Sequence, residues 1–242
     1  MIDHERLVIY HLLTNHAMLA DVADQLNDAG VQLTCVVNPH APSGTLTRVE
    51  QLADLAEALN GVLLIDEAYA NFIDPELAYS SENLVTQFDN VLILRTFSKG
   101  YSLAGLRLGY LLGSEALIDP IVSKTRDSYN IDHLSQMLGL AAFSDRHYAE
   151  QTWQNVRSER THLQNNLNQL GLESPPSQAN FLLVQVPETA AVSAEALYLA
   201  LKERHILVRY FNTSGLDNRL RISVGTPEQN ELLITALTEL LT

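Results

Sequence analysis

Short apolar runs alternate with stretches of helical period along the first part of the chain. Residues 17–29 have helical character and stop at Gly30, a residue suited to the left-handed position that ends a helix. Residues 31–37 form a brief apolar strand, closed by Asn38-Pro39. Residues 47–59 predict a helix, because Val49, Leu52, Leu55, Ala56 and Leu59 fall on one face. Thr47 with Glu50 has the spacing of a capping box, and Gly61 ends the segment. Three wholly apolar strands follow: 62–65 with Asp66 at its end, 91–94 leading into Arg95-Thr96-Phe97-Ser98-Lys99, and 108–112. Strands that are apolar at every position suit a sheet covered on both faces, which predicts an α/β fold.

The pattern changes near Ser144. A long polar helix with dispersed leucines runs to Leu170, and Pro175-Pro176 precede a strand over 181–186. A helix over 193–204, strands near 206–211 and 219–224, and a last helix from Pro227 complete the chain. This tail reads as a small α+β domain, so the expected division is 1–143 and 144–242. Neither an internal repeat nor a low-complexity segment is present.

Charge and composition narrow the partners. Fifteen basic residues against 29 acidic ones give a formal net charge of −14. That charge repels a phosphate backbone and argues against nucleic acid as a partner. Cys35 is the one cysteine, so an internal disulfide cannot form, and its apolar run marks it as a core residue. The first residues lack the basic and apolar regions of a secretory leader, and no long apolar run suggests a membrane span. The expectation is a cytoplasmic protein. His4, His11 and His16 lack metal-ligand spacing with Cys or carboxylates and read as surface groups, so no metal is expected.

Four polar clusters follow strands, where open α/β sheets place their ligands. They are Asn38-Pro39-His40-Ala41-Pro42-Ser43-Gly44, Asp66-Glu67-Ala68-Tyr69, Thr96-Phe97-Ser98-Lys99 with Gly105-Leu106-Arg107, and Leu220-Arg221-Ile222-Ser223-Val224-Gly225. Each alone has a plain structural reading: a turn start, a helix cap, a chance Ser-Lys pair.

Taken together, in this order and spacing, the clusters resemble the aspartate-aminotransferase superfamily, and within it the histidinol-phosphate aminotransferase group. The stretch from Arg95 to Tyr110 is the most specific part, and Leu-Arg-Ile-Ser-Val-Gly-Thr-Pro from Leu220 is nearly as telling. The resemblance implies part of the large three-layer domain that binds pyridoxal 5'-phosphate (PLP), followed by the small C-terminal domain. It implies that Lys99 carries the cofactor, that Asp66 keeps its pyridine nitrogen protonated, and that Tyr69 and Asn38 bond its 3'-oxygen. Thr96, Ser98 and Arg107 match the donors to the cofactor phosphate, an anion that the planar fork of arginine suits. Arg221 matches the arginine that receives the substrate's anionic group, and Arg209 lies near a second such arginine.

The implied activity is amino-group exchange between histidinol phosphate and 2-oxoglutarate in histidine biosynthesis, by a homodimer. A threonine-phosphate decarboxylase or an aromatic aminotransferase would keep the same lysine, aspartate and arginines. A catalytically silent fragment is a third reading, because no segment before Asn38 resembles the family's N-terminal portion, with its phosphate-holding loop and ring-stacking aromatic. His40 departs from the family's Asn-Pro-Asn-x-Pro-Thr-Gly pattern.

Overall fold

A computed structural model describes residues 7–9, 19–125 and 131–241. Residues 17 and 18 of the first expected helix, and the histidines at 4, 11 and 16, lie outside the described residues. The described residues divide into two compact units: Met1–His40 with Leu46–Glu150, and Ala41–Thr45 with Gln151–Thr242.

The first unit is built on a sheet of β1 (Leu7–Ile9), β2 (Leu33–Val37), β3 (Val62–Asp66), β4 (Val91–Thr96) and β5 (Gly109–Gly113), in that spatial order. The first four strands are parallel, and β5 runs antiparallel to β4. Helices α1 (Leu19–Asp28), α2 (Val49–Ala58) and the short α3 (Leu84–Gln87) share one core with the strands. Leu26, Leu52, Leu55, Leu63, Ile65, Leu84 and Ile93 are its largest buried side chains. α1 ends as its sequence implies. Gly30 takes φ +68°, and the Gly30 and Val31 amides donate to Asn27 and Leu26 at 3.0 Å, a paired C-terminal closure.

Two expectations are modified. The residues Thr47 and Glu50 do not cap α2. Arg48 is the N-cap, and its amide donates to the Gln51 side chain at 3.2 Å. Thr47 is held instead by Asn38, as described below, so the helix begins one residue later. β2 and β3, apolar at almost every position, are buried at alternate positions. Helices α1, α2 and α3 cover the face of Val36, Leu63, Ile65 and Ile93, whereas Cys35, Val37, Leu64 and Leu94 are only partly covered or exposed among the described residues.

After β5 come α4 (Glu115–Lys124) and α5 (His133–Ser144). α5 is apolar on nearly every side, yet only Ser135 and Gly139 are buried. Its Leu134, Met137 and Leu140 are 64%, 57% and 68% exposed. Helix α6 (Arg146–Gln169) runs without interruption through residue 150, where the division into units falls.

The second unit pairs β6 (Phe181–Gln185), β8 (Arg219–Ser223) and β7 (Arg209–Tyr210) in that order, antiparallel throughout. Helices α7 (Ala194–Glu203) and α8 (Pro227–Leu241) and the later part of α6 cover it, around Leu163, Leu167, Leu182, Leu201, Leu220 and Leu237. Asn230 of α8 ties the turn after β8 in place, accepting from the Gly225 amide at 2.9 Å and donating to Glu159 at 2.9 Å. No helix among the described residues is long and apolar enough to cross a membrane.

The turn from α2 into β3 has no room for a side chain. A Cβ on Gly61 would lie 2.6 Å from the Val31 carbonyl oxygen and 2.8 Å from that of Gln32, both backbone atoms. Gly61→Ala should therefore cost about 1–3 kcal/mol. Gly105→Ala, with nothing near the added Cβ, is the control and should unfold close to the parent in thermal melts.

Candidate active site

β2, β3 and β4 end side by side. Val37 pairs with Asp66, and Asp66 with Leu94, so the last residues of β2 and β3 lie in one row with Leu94, two residues before the end of β4. Successive strand residues point to opposite faces. Val36, Ile65 and Ile93 face the helices, and two residues further on Asn38, Glu67 and Arg95 continue that face. Asp66 and Thr96 belong to the other face, with Cys35 and Val37. Burial, and next the charge of Asp66, push the Cys35 thiol above its usual pKa, which agrees with a carboxylate on its side of the sheet.

On that face the groups expected from the sequence come together. Asp66 is half-buried, and its Oδ1 accepts the Ala68 amide at 3.0 Å, which fixes the turn beyond the strand. Tyr69 opens the 3-10 turn Ala70–Phe72 that follows. The Lys99 Nζ lies 5.8 Å from the centre of the Tyr69 ring. Lys99 is exposed and has no ion pair among the described residues. Thr96 Oγ1 accepts the Ser98 amide at 3.1 Å and lies 3.0 Å from Ser98 Oγ, so the two hydroxyls are held against one another.

The loop that follows carries two non-glycine residues at positive φ, Ser102 at 57° and Arg107 at 52°. Such backbone costs roughly 1–3 kcal/mol per residue and persists only where its surroundings hold it. Arg107 is exposed, and its Nη1 donates to the Ala104 carbonyl at 3.1 Å. One amine, one guanidinium, two hydroxyls and one carboxylate thus occupy adjoining strand ends and loops. The set suits a ligand that has both an anionic group and a hydrogen-bond donor or cation.

The helix-side face carries a polar network that the sequence reading did not assign. The Glu67 carboxylate is fully buried. Its Oε1 accepts the Tyr79 hydroxyl at 2.6 Å and the Ser81 hydroxyl. Its Oε2 accepts Arg95 Nε at 2.8 Å and Nη2 at 2.7 Å. Arg95 Nη2 also reaches Glu82 at 2.7 Å. Burial, and then the Glu67 charge, raise the Tyr79 pKa well above the tyrosine range, so its hydroxyl stays protonated. Against a burial that lowers it, Glu67 and Glu82 raise the pKa of Arg95. A visible signal existed: Glu67 and Arg95 are charged residues beside Asp66 and Thr96, just after their apolar segments.

Asn38 belongs to this network. It is completely buried. Its Oδ1 accepts the Thr47 amide at 2.7 Å, and its Nδ2 donates to the Thr47 carbonyl at 3.0 Å and to Tyr79 Oη at 2.9 Å. Both amide hydrogens are engaged within the fold. His40, in the same loop, is also buried.

In the second unit, Arg209 and Arg221 are paired neighbours across β7 and β8. Their guanidinium carbons lie 5.6 and 5.9 Å from the centre of the Phe211 ring, and that of Arg221 lies 5.1 Å from Phe181. Neither has an ion pair with a carboxylate among the described residues, so aromatic faces orient two cations whose charge is available to an anion. No cluster of three or more His, Cys, Asp or Glu that could hold a metal occurs among the described residues.

A mostly parallel α/β sheet with an exposed lysine, a carboxylate and groups suited to an anion at its strand ends, joined in sequence to a small α+β unit, defines the class of the protein as α/β. The model of the aminotransferase class I and II family matches residues 5–237, and the chain belongs to that family. It is 44% identical over 220 residues to histidinol-phosphate aminotransferase 1 of Nostoc sp., covering 91% of this chain and 60% of the relative. It is 40% identical over 210 residues to the histidinol-phosphate aminotransferase of Microcystis aeruginosa, covering 87% and 58%. Among solved structures, the histidinol-phosphate aminotransferase of Sinorhizobium meliloti in complex with pyridoxal-5'-phosphate superposes with a TM-score of 0.84 at 27% identity, over 92% of this chain and 61% of that one. The chain thus spans about three fifths of the length of these relatives.

The structural part played by Asn38 is testable. Asn38→Ala leaves the Thr47 amide and carbonyl and the Tyr79 hydroxyl short of partners in a buried site, a loss of about 2–3 kcal/mol. Thermal unfolding should show that loss, while borohydride in the presence of PLP still labels Lys99. Unaltered stability together with lost labelling would show that Asn38 acts on the ligand and not on the fold.

Proposed function

We propose that the protein is a PLP-dependent aminotransferase that exchanges an amino group between histidinol phosphate and 2-oxoglutarate, a reaction of histidine biosynthesis. The observation that carries this reading is the placement of Lys99, Asp66 and the Thr96–Ser98–Arg107 donors at adjoining strand ends. The relatives named above supply the substrate.

The residues present fit the cofactor. Thr96, Ser98 and Arg107 would hold its phosphate, with hydroxyls for single bonds and a guanidinium for charge. The Asp66 carboxylate would accept the pyridine N–H and keep the proton there. Tyr69, beside Lys99, would donate to the 3'-oxygen. When bound, PLP supplies an electron-withdrawing ring that accepts the electrons released at the substrate Cα. Lys99 would have two tasks: its Nζ would hold the cofactor before substrate arrives, and the freed amine would then carry the proton from the substrate Cα to the cofactor. Arg221 and Arg209 supply an anion site suited to a phosphate or a carboxylate, the anionic groups of the two proposed substrates. The Nostoc and Microcystis relatives both bear the histidinol-phosphate name, which favours this reading over a threonine-phosphate decarboxylase or an aromatic aminotransferase.

The active form is read as a cytoplasmic homodimer. The exposed leucines and Met137 of α5 support an interface, since a helix apolar on most sides is normally covered. The single cysteine and the biosynthetic names of the relatives support the compartment. In equilibrium sedimentation a dimer mass is expected, and a fully active monomer would refute the assembly.

Borohydride reduction with PLP, followed by peptide mapping, should label Lys99. Label at Lys124 or Lys202 instead would remove the proposed role of Lys99, and no label at all would favour a silent chain. In the same protein Asp66→Asn should lower turnover about a hundredfold or more while the lysine remains labelled. Unchanged turnover would show that Asp66 does not hold the ring proton.

A further inference from the structure

We propose that Glu67, acting through Arg95 and Tyr79, is the positioning residue that sets the distance between Asp66 and the Thr96–Lys99 turn. The inference rests on the function proposed above.

The last backbone pairing between β3 and β4 is Asp66 with Leu94, and the Glu67 amide donates to the Leu94 carbonyl at 2.8 Å. Past that point no ladder bond joins these two strand ends. The groups proposed to work on the ligand lie at that limit or beyond it: Asp66 is the last residue of β3, Thr96 the last of β4, and Ser98 and Lys99 follow. The link that remains is made by side chains on the opposite face. Glu67 follows Asp66 directly, and Arg95 directly precedes Thr96. Their ion pair therefore joins the two peptide segments from which the ligand-facing groups arise.

The chemistry of the link fits positioning. Each Glu67 oxygen takes two donors, so the carboxylate cannot turn without losing a bond. Arg95 presents Nε and Nη2 to one oxygen, which fixes its plane as well as its distance. A buried ion pair adds little stability over an apolar pair of the same size, whereas its hydrogen bonds specify direction. Tyr79 extends the restraint to β2, because its protonated hydroxyl donates to Glu67 and accepts from Asn38, the residue after Val37. Asn38 in turn donates its backbone amide to the Asp66 carbonyl at 2.8 Å. The three strand ends thus form a closed loop of hydrogen bonds beneath the ligand face.

A displacement of reacting groups by about 1 Å can cost on the order of a hundredfold in rate. The test uses the full-length, PLP-loaded protein. Glu67→Gln keeps the shape but sets an amide against Arg95 or Tyr79. It should lower kcat at least tenfold with KM within threefold, and weaken PLP affinity at least tenfold by absorbance titration. Arg95→Lys, which keeps the charge and loses the fork, should recover only part of either quantity. Thermal unfolding of the apo form is recorded beside each variant. A Glu67→Gln protein with kcat and PLP affinity within twofold of the parent, however much its unfolding temperature falls, overturns the proposal. If that variant does not fold, Tyr79→Phe decides: a threefold or greater loss of PLP affinity supports the link, and parental values overturn it. Lys99→Ala separates the two hypotheses. A reducible cofactor adduct that survives in Lys99→Ala rejects the site itself, whereas its loss there beside a parental Glu67→Gln rejects only the positioning role.

Discussion

The end of a parallel sheet is a weak place to hold chemistry. Backbone hydrogen bonds keep strands in register along their length, and beyond the last bond each strand leaves on its own course. Here the carboxylate, the hydroxyls and the lysine of the candidate site all stand at or beyond that limit. What joins the strand ends is a buried carboxylate with four donors, drawn from β4 and from the segment after β3, with an asparagine completing the connection to β2. The network lies on the helix-covered side, where water competes least for its hydrogen bonds. One face of the sheet edge is therefore given to restraint, and the other carries Asp66 and Thr96.

This division explains why adjacent residues have such different surroundings. Asp66 is half-buried beside a turn, and Glu67 is sealed; Thr96 faces its loop hydroxyl, and Arg95 faces two carboxylates. The same economy of position operates in the second unit. Arg209 and Arg221 are neighbours across two short strands, and aromatic rings rather than acids hold them. A guanidinium over a ring keeps its hydrogen-bond donors, whereas one paired with a carboxylate has already used them. Two arginines held in this way suit the binding of an anion.

Much of this was legible in the sequence. Apolar runs of strand length, separated by a helical period and ended by glycines, implied the α/β unit, since burial of apolar strands and the left-handed turn are local demands. Gly30 and the strands from 62 and 91 behave accordingly. The order of Asp66, Tyr69, Lys99 and Arg107 pointed to one family, and the family model and the relatives agree with that reading.

The direction in which each polar residue faces was decided elsewhere. The resemblance gave Asn38 a chemical role, and only the register of β2 on β3 sets it with Val36 on the helix side, engaged by Thr47 and Tyr79. Thr47 looked like a helix cap, and its amide and carbonyl are taken by Asn38 instead. Glu67 and Arg95 are 28 positions apart, and nothing in either apolar run says that they meet. A sequence specifies period and chemistry, which depend on near neighbours. Which face a strand-end residue occupies, and which distant partner satisfies it once buried, depend on the pairing of strands far apart in the chain, and only the folded structure determines that pairing.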